Sequence, residues 1–150
     1  MSDSESRQLV VFALGREEYA LPISHVHEII RYTEPRFVAS REEWTRGVIS
    51  LRGKIIPVHD LAVRLGLEVT EREEGAGKIV IVESGAEMVG VIVDEVEEVV
   101  VLENEQIEPA PGSNDGAVNG VGKLDDRLIV LLEPAGLFGS EPVAELTEAA

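Results

Sequence analysis

Histidines stand at positions 25, 27 and 59, and they are the side chains whose ordinary pKa allows proton exchange near neutral pH. His25 and His27 lie two apart in a β-like stretch and so share a face, the disposition of a metal pair. No third ligand follows at a motif spacing, so a metal site is not expected. His59-Asp60 could be a general base with its orienting carboxylate. Asp60 also directly precedes a short helical pattern, and there it reads as a helix cap. The glutamates at 95, 97 and 98 interleave with valines, as on the solvated face of a strand. SNDG (113–116) resembles part of a calcium loop but has neither the acidic spacing nor the closing glutamate. The chain contains no GxSxG, HExxH, P-loop or GxGxxG. No catalytic, metal-binding or cofactor-binding residue is therefore expected. An acidic enzyme using His59, or the His25/His27 pair, stays open as an alternative.

Bulk properties point the same way. The 150 residues suit one domain or two very small units. With 29 acidic against 13 basic residues, the formal charge is −16. Binding to nucleic acid needs a positive footprint, so that class is excluded from the expectation. The count of cysteines is 0, which removes disulfides, thiolate metal sites and cysteine nucleophiles and suggests a reducing cytosol. MSDSESRQ has neither the basic nor the apolar region of a signal peptide. No apolar run approaches the ~20 residues of a membrane span.

The elements that must position any site are mostly strands. LVVFALG (9–15), EYALPI (18–23), VHEIIR (26–31), KIVIVES (78–84), MVGVIVDEVEEVVVL (88–102) and DRLIVLLE (126–133) are β-rich, and GVISL and KIIPV flank Arg52-Gly53. A short helix is expected over 61–66, with Gly66 as its stop. Ser40 and Glu43 form a capping-box pattern for one helical turn through Trp44. Residues 68–77 and 109–117 read as exposed loops, and PVAELTEAA at the end as a helical turn or tail.

An internal repeat organises these strands. At an offset of 70, residues 10–30 overlay 80–100 with five of 21 positions identical, including Gly15/Gly85, Val26/Val96 and Glu28/Glu98. At an offset of 73, residues 47–66 overlay 120–139 with six of 20 identical, including Gly47/Gly120, Leu51/Leu124 and Gly66/Gly139. The chain thus reads as two copies of one β-unit of about five short strands, each closed into a barrel to hide its edges. The expected organisation is a polar tail (1–8), a first barrel (9–74), a second barrel (75–140) and a terminal tail (141–150), with a groove between the barrels.

SLRGKIIPV (50–58) is then a hairpin whose sister turn is Asp125-Asp126. Turn geometry explains Gly53, and Arg127 is a basic counterpart for Lys54. Arg52 has no such counterpart, so it is expected to face something outside its own barrel.

EYALPISHVHEII (18–30), GVISLRGKIIPVHDLAVRLG (47–66), VGVIVDEVEEVVVLENEQIEPAP (89–111) and GVGKLDDRLIVLLE (120–133), in that order, resemble the CheW-type coupling proteins of chemotaxis. The resemblance covers residues 8–139. Family members commonly read N-L-R-G at the hairpin, where Ser50 stands here, and Trp44 takes the place of an aromatic before Gly-Val. The resemblance implies an all-β fold of two packed SH3-like five-stranded barrels and a cytoplasmic, non-enzymatic adaptor. Its partners would be the hairpin tip of transmembrane chemoreceptors and the regulatory domain of a CheA-type histidine kinase, in arrays at the inner face of the membrane, without insertion into it. It further implies a kinase or receptor interface at Arg52, Gly53, Val26, Glu28, Ile29 and Arg46, and a receptor groove at Ile55, Ile79, Gly90 and Val91. A regulatory domain of a larger signalling protein is the alternative; the lead-in at Met1 and the short tail favour a stand-alone adaptor.

Overall fold

A computed structural model describes residues 6–40, 42–67, 76–110 and 116–138. The first half of the chain forms β1 (Ser6–Leu14), β2 (Glu17–Pro22), β3 (Val26–Arg31), β4 (Thr45–Leu51), β5 (Lys54–Asp60) and the short helix α1 (Leu61–Arg64). The second half repeats that order as β6 (Lys78–Ser84), β7 (Glu87–Val93), β8 (Glu95–Glu103), β9 (Ile107–Glu108), β10 (Val118–Leu124), β11 (Arg127–Leu132) and α2 (Pro134–Phe138). The duplication expected from the sequence is thus a duplication of elements.

The sheets do not follow the halves. One has the order β8-β1-β2-β11-β10-β9, the other β3-β6-β7-β5-β4. Each half supplies its first hairpin to the sheet of the other half. The joins are the parallel pairs β2–β11 and β5–β7, as in Tyr19 beside Val130 and His59 beside Val91. The expected division of 9–74 from 75–140 is therefore corrected. One barrel is the continuous stretch 26–93; the other combines 6–22 with 95–132.

Burial on both faces of the exchanged hairpins explains the exchange. Along β1, Leu9 and Val11 enter one core while Phe12 and Leu14 enter another. Along β6, Ile79 and Ile81 point into the second barrel, and Val80 and Val82 into the layer between the barrels. Near-continuous apolar runs such as KIVIV suit such doubly buried strands. Three cores result: Leu9, Val11, Leu102 and Ile129 inside the first barrel, Ile49, Ile56, Val58 and Ile81 inside the second, and Phe12, Leu21, Leu61, Val93 and Leu137 between them.

Each sheet closes on itself. β8 turns through Asn104–Gln106 directly into β9, which pairs with β10 across the first barrel. In the second barrel Arg36 makes the matching bridge to Val48. At the equivalent Gly47 and Gly120 a Cβ would lie 2.0 Å from the Arg36 carbonyl oxygen and 2.9 Å from that of Glu108. Only glycine allows that backbone approach.

Local expectations fare unevenly. α1 begins at Asp60, whose Oδ1 accepts from the Ala62 and Val63 amides, and ends before Gly66 at φ 76°. Residues 42–44 form a turn rather than a helical one: Ser40 pairs with Glu42, and the chain must extend at once into β4. The stretch 88–102 is two strands. Asp94 breaks it, donating its amide to the Ala13 carbonyl and accepting from the Gly15 amide through Oδ2. The loop residues 68–75 and 111–115, which include most of SNDG, and the terminal tail lie outside the described residues.

Candidate protein-docking site

The β4–β5 hairpin pairs Leu51 with Lys54, which leaves Arg52 and Gly53 as a two-residue turn. Both occupy the left-handed region, Arg52 at φ 52° and Gly53 at φ 82°. Glycine adopts that region freely, and an arginine there is held in an unfavourable conformation. At the sister turn Asp125 sits at φ 56°, a residue better suited to it. Turn geometry therefore does not select Arg52.

A contact within the barrel does engage it. Arg52 Nη1 donates to Glu28 Oε1 on β3, tying the hairpin tip to the opposite edge of the sheet. That hydrogen bond, together with the nearby positive charge, holds the Glu28 carboxyl below its usual range. His27 stands alongside, its Nε2 3.8 Å from the same Glu28 oxygen and its Nδ1 3.6 Å from Glu83 Oε2. Arg52 thus has a partner within its own barrel, which the sequence did not show. It also has a counterpart: Arg127 Nη2 binds Glu98 Oε2 at 2.8 Å in the other barrel, and Glu98 is the repeat equivalent of Glu28. Each barrel is closed by an arginine from its last hairpin and a glutamate from its third strand. In one copy the arginine is the first turn residue, in the other the first residue of the outgoing strand.

Arg52 remains exposed even so, at 69% of its side chain. Beside the pair lie two solvent-facing aliphatics, Ile29 next to Glu28 and Ile55 three residues past Arg52, exposed by 40% and 67%. Gly53 is exposed at the tip. Val26 packs half-buried against the inter-barrel core. Arg46 points outward, and its Nη2 bonds Asp60 Oδ2 at 2.9 Å, so its charge serves the buried α1 cap.

The expected receptor groove does not exist as such. Ile79 and Val91 are fully buried, Ile79 inside the second barrel and Val91 between the barrels. Gly90 is buried too, where a Cβ would meet Ile79 Cγ2 at 2.9 Å. Central strands buried on both faces cannot line a groove, and of the four residues only Ile55 is a surface.

The candidate chemistry dissolves on inspection. His25 lies in a 3-10 turn with Nδ1 against the Glu83 carbonyl at 3.0 Å, while His27 is on β3. Among the described residues no three metal-ligating side chains converge. His59 contacts Thr45 Oγ1 through Nδ1 at 3.1 Å, and burial pushes its pKa down to about 4, with Arg64 assisting and Glu42 opposing. Asp60 does not orient it: both Asp60 oxygens are engaged by α1 and Arg46. One shallow, open depression is lined by Glu17, Glu18, Glu97, Asp126 and Leu128. Its Glu18 accepts two bonds from Arg127, at 3.0 and 3.1 Å. Hydrogen bonding to Arg127 lowers the Glu18 pKa, and a hydrogen bond from Glu97 to Glu18 raises that of Glu97. By their alternation with valines, Glu97 and Glu98 look like a plain solvated face. The Glu28/Glu98 identity in the repeat was the available signal for their pairing.

What remains is a charged hairpin tip with exposed aliphatics on the strands that carry it and its partner, Ile55 on β5 and Ile29 on β3, a surface suited to another protein. The model of the CheW-like domain family matches residues 8–141. A chemotaxis protein CheW of Klebsiella aerogenes is 32% identical over 149 residues, covering 95% of this chain and 87% of its own. That of Bacillus subtilis is 31% identical over 138 residues, covering 89% and 88%. The crystal structure of the scaffolding protein TtCheW from Thermoanaerobacter tengcongensis superposes with a TM-score of 0.82 at 35% identity, over 91% of this chain and 95% of that one.

Proposed function

This chain belongs to the CheW-like domain family, and we propose that it acts as a non-enzymatic chemotaxis adaptor coupling chemoreceptors to a CheA-type histidine kinase. The supporting observation is that the family match spans both barrels while exposed Ile29 and Ile55 flank the Arg52–Glu28 pair. A helical hairpin tip of a receptor offers an apolar stripe with polar edges, and such a stripe fits exposed aliphatics near a charged tip. The kinase's regulatory domain would pack barrel against barrel, and the adaptor would work at receptor arrays on the cytoplasmic face of the membrane. No helix among the described residues is long and apolar enough to cross a membrane, so attachment would come through the receptor.

In this reading Arg52 has two roles. It closes its barrel through Glu28, and its remaining guanidinium donors face the partner, where the planar fork meets carboxylates or backbone carbonyls. Gly53 permits the close approach of the tip. Val26, Glu28 and Arg46 act from behind this surface, by packing, by holding Arg52 and by steadying α1.

The test is binding of the purified chain to a receptor cytoplasmic fragment and to the kinase regulatory domain, with Arg52→Ala as the probe. We expect the variant to keep its fold and to bind one or both partners at least about tenfold more weakly, as for an interface arginine. Parental binding and normal array formation by a folded Arg52→Ala chain would remove Arg52 from the interface. Failure of the parent chain to bind either partner would sink the adaptor assignment.

A further inference from the structure

His27 is the unexplained member of the cluster behind the Arg52 tip. It stands at a β-bulge: Val26 pairs with Val82 and Glu28 with Ile81, so the register of β3 against β6 skips His27. Bulges re-aim a side chain. This one sets the imidazole between two carboxylates, with Nε2 3.8 Å from Glu28 Oε1 and Nδ1 3.6 Å from Glu83 Oε2.

The other barrel repeats the device with a different residue. There the register of β8 against β1 passes from Glu98 to Val96 and skips Glu97, the repeat equivalent of His27. Glu97 adjoins Glu98 and hydrogen-bonds Glu18, and these two carboxylates hold Arg127. Each barrel therefore places a titratable side chain at the bulge of its third strand, against the carboxylates that anchor the closing arginine.

Charge decides what His27 does there. It faces Glu28 on its own strand, Glu83 on β6 and, across Glu28, Arg52 on the β4–β5 turn; His25 turns its Nδ1 to the Glu83 carbonyl instead. With a neutral imidazole, one guanidinium stands against two carboxylates, a net of −1, and a proton on His27 brings that to zero. Arg52 Nη1 and His27 Nε2 are directed at the same oxygen, Glu28 Oε1, so an imidazolium competes with the guanidinium for it.

We propose that His27 is a proton-dependent positioning residue for Arg52: its imidazolium takes a share of Glu28 and Glu83, and the Arg52 guanidinium is released toward the partner. This role rests on the reading of Arg52 as a docking residue and adds to it a dependence of docking on mildly acidic pH, the range in which histidine changes charge. The side chains of His27 and Arg52 are 41% and 69% exposed, so the two cations can exchange places without any core opening. Exposed ion pairs are weak, so the competition shifts the Arg52 contact by about two- to fivefold and does not abolish it.

The decisive experiment uses the free chain, so it is independent of receptor and kinase. The Arg52 Nε–Hε resonance and the imidazole resonances are followed by NMR from pH 8 to pH 5. His59 does not interfere, because burial pushes its pKa down to about 4, and Glu28 stays ionised, because the hydrogen bond from Arg52 holds its carboxyl below the usual range. Arg52 should shift with the same midpoint as His27. His27→Gln should abolish that shift, His27→Lys should hold Arg52 at its low-pH position throughout, and His25→Gln should leave the shift intact. An Arg52 resonance that stays flat while His27 titrates overturns the proposal, as does a shift that survives His27→Gln. With the kinase regulatory domain or receptor fragment added, the parent chain should bind about two- to fivefold more tightly at pH 6 than at pH 8, and His27→Gln should remove that ratio. An equal ratio in both chains overturns the proposal as well. A parent chain that binds at neither pH overturns the adaptor reading instead, and the free-chain resonances then decide the role of His27.

Discussion

Ile55 and Ile79 are the same residue type and, by the family resemblance, members of one groove, yet the structure assigns them opposite duties. Ile79 is 0% exposed, enclosed with Ile81, Val58 and Ile92 inside the second barrel. Truncation of Ile79 to alanine removes buried carbons and leaves a cavity that paired strands on both sides cannot close. The cost is about 3–4 kcal/mol, within the range for large-to-small core changes. For a domain of this size that lowers the melting temperature by roughly 10–15 °C. Ile55 is 67% exposed. Complete burial of such a side chain is worth about 1.5–3 kcal/mol, so a third of it places Ile55→Ala below about 1 kcal/mol. Urea unfolding of both variants, followed by far-ultraviolet circular dichroism, gives the two numbers. Binding of the folded variants to a receptor hairpin fragment then separates the roles: Ile55→Ala should weaken it by about tenfold, and Ile79→Ala, corrected for the folded fraction, should not. Equal destabilisation by the two substitutions would refute the placement of Ile55 at the surface. Loss of binding by folded Ile79→Ala, with Ile55→Ala normal, would remove Ile55 from the docking surface.

Gly47→Ala should be more damaging than its repeat equivalent Gly120→Ala. Its Cβ would overlap the Arg36 carbonyl at 2.0 Å against 2.9 Å to Glu108, and both glycines carry positive φ. Backbone strain alone costs about 1–3 kcal/mol, and thermal unfolding in which Gly120→Ala falls further than Gly47→Ala would contradict the account of barrel closure. His59 gives a pH signature. Its folded pKa of about 4 lies below the ordinary 6.5, so its contribution is complete above pH 6.5 and is lost as pH falls toward 4. The full loss is of the order of 3 kcal/mol. A His59→Gln chain should show a shallower decline of unfolding free energy over that window, and parallel curves would exclude His59 as the source. Asp60→Ala removes the cap of α1 and the partner of Arg46 from a site only 1% exposed. It should cost about 2–3 kcal/mol, with Asp60→Asn recovering part of that loss in denaturant titrations. An Asn variant no better than Ala would make the Arg46 pair, rather than the cap, the dominant contribution.

The strands and the duplication were legible because β-branched runs, turn glycines and the cap at Asp60 are local features with local physics. The role that the resemblance implied for Ile79, Gly90 and Val91 does not survive their burial. A resemblance attaches a role to a position without saying whether its strand lies in the middle of a sheet or at its edge; the apolar run KIVIV was the local sign that Ile79 is central. Which one a segment becomes depends on its neighbours. Arg52 shows the same limit in milder form. Its oddity beside Asp125 was visible in the sequence, and its bond to Glu28, 24 positions away, was not.

By itself, the sequence determined the composition of each β-unit, the hairpin tips at 52–53 and 125–126, the helix start at Asp60, and the excess of acid outside residues 26–93. The tertiary structure decided which strands share a barrel. Hairpins apolar on both faces must be sandwiched between two cores, and a chain with two such hairpins satisfies both by exchanging them. That exchange buries the expected groove, aligns Glu28 with Arg52 and Glu98 with Arg127, and leaves Ile29, Ile55, Val99 and Leu128 as the apolar surface beside them. Pairing between distant strands is a property of the closed barrels, and no window of sequence contains it.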